Sequence, residues 1–207
     1  NPVKYLGHTL TWEKGRQLHS FDSNTYTYNA NGIRTSKTVG GVVHNYLLEG
    51  AKILRETWNV GDTAHTLVTL WDNEDSICGI KYNGASYYFF KNLQGDIIAI
   101  TDYTGTVVAR YSYDAWGVPE IKLDSSTCQI ATINPFRYRG YYYDEEIELY
   151  YLQSRYYNVY TSKFINSDDI GLHFATIASA SFTPWHYCYN DPVNFIDECG
   201  YASSNIK

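Results

Sequence analysis

Apolar and polar positions alternate with a period of two along most of the chain, and short polar turns interrupt the runs. "TYTYNANGIRTSKTV" from Thr25 alternates and breaks at Asn31-Gly32, and "IKYNGASYYFF" from Ile80 does so at Asn83-Gly84. Successive side chains of a strand point to opposite faces, so this period predicts half-buried strands rather than helices. Asn-Gly between two alternating runs is a hairpin signal, because both residues tolerate positive φ. Gly95, Gly105 and Gly117 follow at intervals of ten and twelve residues, room for two short strands each. The stretch from Thr25 to about Gly117 therefore reads as serial antiparallel β-hairpins.

A repeat lies inside this stretch. "YTYNANG" at Tyr26 to Gly32 and "YSYDAWG" at Tyr111 to Gly117 share the template Tyr-x-Tyr-(Asn/Asp)-x-x-Gly, and "YFFKNLQG" at Tyr88 to Gly95 is a relative one residue longer. Two aromatics at i and i+2 lie on one face of a strand, the Asn or Asp side chain caps the turn, and Gly supplies the left-handed residue. A single such hairpin cannot bury its aromatic face, so the units are expected to stack edge to edge into an extended, curved sheet.

Composition supports strands: 22 Tyr, 8 Phe and 5 Trp make up 17% of the 207 residues, at a mean hydropathy of -0.38. Aromatic side chains suit a pleated, half-buried surface. The net charge of -6 comes with no run of Lys or Arg, which argues against a nucleic-acid partner or an anionic membrane surface. No apolar stretch approaches the ~18 residues of a membrane span. With no Met anywhere, the sequence reads as a piece of a longer chain, whose targeting signals would lie elsewhere.

The candidate chemistry sits near the end. "DDIGL" from Asp168 and "DECGY" from Asp197 both carry Asp-x-x-Gly, with Gly171 and Gly200 as the glycines. Each motif alone makes a turn. Brought together, the two carboxylates could share a proton and titrate as a coupled pair, one taking a proton from water while the other polarises a carbonyl. A guanidinium could hold such a carboxylate in a planar fork. Other arrangements are weaker. Cys199 with His186 or His173 would permit a Cys-His nucleophile, and a His186, Cys188, Cys199 zinc site lacks a fourth ligand at standard spacing. The four cysteines show no Cys-x-x-Cys spacing, and "EEIE" at Glu145 to Glu148 reads as a solvated turn or a short helical start.

The sequence resembles the C-terminal end of bacterial Rhs/YD-repeat proteins, including the Rhs repeat-associated core. The repeat template is the YD signature, and "NLQGDIIAITDYTGTVVARYSYDAWG" resembles the last repeats before that core. "NPFRYRGYYYDEEIELYYLQSRYYNVYTSKFINSDDIGL" from Asn134 is similar to the core block nearly residue for residue, and "YCYNDPVNFIDECG" to the segment that closes it. The match runs from about Tyr26 to Gly200.

The resemblance implies a mainly β fold: hairpins forming part of a curved or spiral shell, plugged by a C-terminal core segment with short helices. It divides the chain into a repeat region at 1–133, a core at 134–201 and a stub at 202–207. It also implies an aspartyl autoprotease that cuts its own chain after the second Asp-x-x-Gly, between Tyr201 and Ala202. By position the family's catalytic residues fall on Arg155, Asp168 and Asp197, with no cofactor and no metal. The implied partners are the chain's own C-terminal effector as cargo and the neighbouring shell of the parent protein, and the setting is secreted or at a bacterial cell surface. Open strand edges would also permit pairing with a second copy.

Two departures bear on activity. Asp169 and Glu198 stand where the family carries proline, which frees φ and sets a negative charge beside each catalytic position. The stretch "HFATIASASFTPWHYC" between the motifs is longer than the family pattern. Two other readings stay open. One is a non-catalytic shell or adhesion module in which both motifs only make turns. The other is a glycosidase, which would need an open sugar cleft and carboxyls ~5 to 9 Å apart.

Overall fold

A computed structural model of the protein describes residues 1–167, 184–197, 199–201 and 203–205. The alternating runs form one antiparallel meander in which every strand pairs with its sequence neighbours. It begins with β1 (Lys4–Tyr5), β2 (His8–Glu13), β3 (Gln17–Phe21), β4 (Asn24–Tyr28), β5 (Arg34–Val39) and β6 (Val42–Glu49). It continues through β7 (Lys52–Val60), β8 (Thr63–Trp71), β9 (Ile77–Tyr82), β10 (Ala85–Lys91), β11 (Ile97–Asp102), β12 (Val107–Tyr113) and β13 (Pro119–Asp124). The sheet is thus wider than the Thr25–Gly117 stretch read from the glycines. β2 and β3 are joined at Lys14-Gly15-Arg16, which lacks the Asn-Gly signal, and β2 buries only Leu10.

The turns explain the regularity. Asn83 and Gly84 both take positive φ and close a two-residue hairpin between Tyr82 and Ala85. At Asn31-Gly32 only Gly32 does, because the turn belongs to Asn29. The Asn29 Oδ1 accepts the backbone N–H groups of Asn31 and Ile33, while the Asn29 carbonyl accepts that of Gly32. The same construction recurs at Asp72, Asn92, Asp102 and Asp114. In each, the residue three positions on is left-handed: Asp75, Gly95, Gly105 or Gly117. These are Asx turns, in which a short polar side chain takes over two backbone donors.

The tyrosines of the repeat face inward. Tyr26 and Tyr111 are buried, and the second tyrosine of each copy donates its hydroxyl to a neighbouring strand: Tyr28 to the Leu18 carbonyl and Tyr113 to the Ile97 carbonyl. Against this inner face packs a second sheet made of β14 (Tyr142–Asp144), β15 (Leu149–Leu152), β16 (Arg155–Asn158) and β17 (Lys163–Phe164). It is reached through a one-turn helix, α1 (Ile130–Ile133). A last pair, β18 (Phe195–Ile196) and β19 (Ser204–Asn205), follows. Among the described residues, the short helices after Asn134 are single 3-10 turns at Tyr138–Gly140 and Cys188–Asn190.

Charge also ties the inner sheet to the wall. Arg34 of β5 is fully buried, forks onto Asp144 at 2.6 and 3.0 Å, and lies against the rings of Tyr26, Tyr46, Tyr142, Tyr151 and Tyr156. Lys37 bridges Asp144 and Glu146. The "EEIE" segment is a turn, but it is not simply solvated: Glu146 faces Lys37 and Ile147 is buried.

Candidate active site

Arg155 opens β16, directly after the two-residue turn Gln153-Ser154 that joins it to β15. This turn receives the segment from Asp197 to Gly200. Asp197 is buried, and its Oδ1 accepts the backbone N–H of Gly200 at 2.7 Å while its Oδ2 accepts Arg155 Nη2 at 2.9 Å. The second Asp-x-x-Gly motif is therefore a turn closed by its own aspartate, with that carboxylate charge-paired. The Arg155 Nε donates to the Gly200 carbonyl and Nη1 to the Pro184 carbonyl, and the guanidinium stands 3.6 Å from the centre of the Phe164 ring. One planar cation thus orients a carboxylate, a backbone carbonyl and an aromatic face at once, which lysine could not do.

Ser154 completes the seat. Its hydroxyl reaches the carbonyls of Cys199 and Gly200 at 2.9 and 2.7 Å, and its backbone N–H donates to the Cys199 carbonyl. Gly200 is required by geometry: φ is +76°, and a Cβ there would come within 2.7 Å of the Leu152 carbonyl and the Ser154 hydroxyl. From the other side the Asp197 N–H donates to the Tyr141 hydroxyl, which itself meets the Tyr187 hydroxyl at 3.1 Å. Burial holds the Tyr141 phenol well above its ordinary pKa, so it stays neutral.

Of the residues singled out from the sequence, the structure brings Arg155, Asp197 and Gly200 together and places Tyr201 next to them. Asp168, Asp169, Gly171, His173, Glu198 and Ala202 lie outside the described residues. Burial pushes the Cys188 thiol up to about 12, which makes it a poor thiolate. No group of three or more His, Cys, Asp or Glu able to hold a metal occurs among the described residues. Sequence reasoning missed Ser154, Tyr141 and Asn166. Ser154 adjoins the predicted Arg155, and that adjacency is the one signal that pointed to it.

Comparison with known proteins gives this architecture a family. The model of the teneurin YD-shell matches residues 56–193. The chain belongs to the YD-shell family. Its curated relatives include the tRNA3(Ser)-specific nuclease WapA of Bacillus spizizenii, 36% identical over 93% of this chain, and the tRNA nuclease WapA of Bacillus subtilis, 38% identical over the same share. This YD-shell segment spans 8% of the length of either relative. A crystal structure of TcdB2-TccC3-Cdc42 superimposes over 94% of the segment and 10% of its own chain, with a TM-score of 0.74 at 19% identity. That likeness supports the shell-like fold. The YD-shell segment is accordingly an Rhs/YD-repeat protein, and its relatives include the double-stranded DNA deaminase toxin A of Burkholderia cenocepacia, 32% identical over 57% of the segment and 8% of that relative.

Proposed function

We propose that this YD-shell segment is the closing part of an Rhs-type container that encloses its own C-terminal effector and releases it by aspartyl-type self-cleavage after Tyr201. The supporting observation is the buried Arg155–Asp197 pair, which holds the Gly200 carbonyl one residue before the expected cut. Asp197 accepts the Gly200 N–H on one oxygen and the Arg155 guanidinium on the other. One carboxyl of the Asp168 and Asp197 pair takes a proton from water as it attacks the Tyr201 carbonyl, the other, protonated, polarises that carbonyl, and the first returns its proton to the Ala202 nitrogen as the C–N bond breaks. Arg155 orients Asp197 and the backbone. The substrate is part of the same fold, so most of the entropy of bringing it to the catalyst is already spent. The container acts outside the bacterial cell or at its surface. Among the described residues the edge strands β1 and β13 pair on one side only, and they join the neighbouring shell of the parent protein, or a second copy of this chain.

The test is intact-mass measurement of the purified chain during incubation from mildly acidic to neutral pH, beside Asp168→Asn and Asp197→Asn. Loss of the residues after Tyr201 in the wild type and in neither variant is the expected result. A wild type that keeps its full mass would overturn the reading. One observation favours the alternative of a non-catalytic shell or adhesion module: the bond from the Gly200 N–H to Asp197 Oδ1 is one that a purely structural turn makes, and an intact wild-type mass would select it.

A further inference from the structure

The backbone contacts at Gly200 carry no side-chain information, so they cannot decide which residue precedes the cut. The side-chain contact at that point comes from the shell wall. The guanidinium of Arg16, at the turn between β2 and β3, lies 5.2 Å from the centre of the Tyr201 ring, and its Nη2 stands 3.5 Å from the Tyr201 hydroxyl. A guanidinium within about 6 Å of a ring centre is held by the ring quadrupole. Tyr201 itself is 41% exposed, and beside it lies a cavity of about 210 Å³ whose lining includes Lys14, Arg16, Tyr28, Asn31 and Ser154.

The backbone of Arg16 is pinned to the core turn, which fixes where its side chain starts. The fully buried Asn166 donates its Nδ2 to the Arg16 carbonyl at 3.4 Å and to the Ser154 carbonyl at 3.1 Å, while its Oδ1 accepts the Tyr156 N–H at 2.9 Å. One side-chain amide therefore sets the wall hairpin and the turn that seats Gly200 in a common frame. The Tyr28 hydroxyl meets the Tyr156 hydroxyl at 2.8 Å close by.

We propose that Arg16 is a positioning residue that grips the side chain of Tyr201 and so selects the peptide bond presented for cutting; this rests on the self-cleavage reading above. The grip favours an aromatic or acidic residue before the cut and rejects a basic one. It also makes cleavage conditional on the wall. The Tyr201 subsite is complete only when the β2–β3 hairpin has closed on the core, so a chain whose shell has not assembled would not release its cargo.

The experiment follows the intact mass of the full chain over time for wild type, Arg16→Glu, Tyr201→Lys, Tyr201→Phe and the double variant Arg16→Glu/Tyr201→Lys, with Asp197→Asn as the chemical blank. Arg16→Glu and Tyr201→Lys are each expected to cleave more slowly by on the order of tenfold, since a cation–ring contact is lost and a misplaced scissile bond reacts slowly. Tyr201→Phe keeps the ring and cleaves within about twofold of wild type. The double variant, with its charges exchanged, recovers most of the rate, which a role in folding alone would not produce. Thermal melting of each variant separates slow cleavage from unfolding, and if Arg16→Glu fails to fold, the contrast of Tyr201→Lys with Tyr201→Phe carries the test. Wild-type rates in both single charge variants, or a double variant no faster than the slower single one, overturn the role of Arg16 while leaving self-cleavage standing. A wild type that does not cleave overturns both.

Discussion

The most constrained residues of the molecule are the charged ones inside it. Burial pushes the Asp144 carboxyl up, but the charges of Arg34 and Lys37 outweigh it and hold the group below its ordinary value. Glu146 goes the other way: burial and then the Asp144 charge raise it, beyond what Lys37 offsets. The signs follow by linkage. A carboxyl depressed in the fold contributes stability above its unfolded pKa, about 3.9 for Asp, and loses it as pH falls through the lower folded value. A raised carboxyl contributes below its unfolded pKa, and that contribution is lost as pH rises through the folded value. Asp144→Ala is therefore expected to cost about 3–5 kcal/mol at pH 7, because it strands Arg34 and Lys37, and to cost less at an acid pH below the depressed folded value of Asp144. Glu146→Gln is expected to leave stability at pH 7 unchanged or higher. Urea unfolding at the two pH values checks both, and a Glu146→Gln loss as large as that of Asp144→Ala would contradict the assignment. Nothing in the sequence pointed to Arg34. It is one polar position among others in "GIRTSK", and the Asp144 carboxylate together with the ring of tyrosines contributed by β4, β6, β14, β15 and β16 makes a charge tolerable there.

At the level of elements, the turn is the unit that repeats. The Tyr-x-Tyr template led to the turns at Asn29, Asn92 and Asp114 and overlooked those at Asp72 and Asp102. The tyrosines make the core, whereas the turn needs only Asn or Asp followed three residues later by a left-handed residue. At Asp72 that residue is Asp75 rather than glycine, so the glycine spacing lost the signal. Two glycines separate the cost of backbone conformation from the cost of contact. Gly105 has φ +87° with open space around its missing Cβ, so Gly105→Ala is expected to cost about 1–2 kcal/mol for the left-handed backbone alone. Gly117 has φ +94°, and a Cβ there would come within 2.6 Å of the Tyr138 ring, which is buried and bonded through its hydroxyl to the Ala115 carbonyl. Gly117→Ala is expected to lower the melting temperature clearly more than Gly105→Ala. Equal losses would mean that Tyr138 moves freely aside.

Across the whole molecule, the boundary drawn at residue 134 separates two sequence patterns, and the packing crosses it. One continuous cluster joins Leu10, Leu18, Tyr26 and Ile80 of the wall to Tyr142, Leu149, Tyr151 and Tyr156 of the inner sheet. Polar ties cross it too. The Tyr142 hydroxyl donates to Glu56, the Arg139 N–H donates to Asp96, and the Arg139 guanidinium donates to the Gln94 carbonyl. Period and turn chemistry made the hairpins legible because those signals are local. The joint between wall and core was not legible, because the members of these three ties are 86, 43 and 45 residues apart and read singly as ordinary tyrosines and charges. The same holds at the site: the resemblance to a known core brought out Arg155 and Asp197, while Arg16 and Ser154 act through geometry that no short stretch encodes. Neither sheet buries its aromatic face without the other, so wall and core are expected to unfold together. Tryptophan fluorescence reports the wall through Trp12, Trp58 and Trp71 once Trp116 and Trp185, which lie against the inner sheet, are replaced by phenylalanine, and near-ultraviolet circular dichroism follows the packed tyrosines. Coincident midpoints in the two signals on heating are the expected result, as for a single cooperative unit. A core transition well below that of the wall would mean that the seat of Gly200 can open while the shell stays closed. Under the self-cleavage proposed above, control of the cut would then pass from assembly of the wall to local opening of the core.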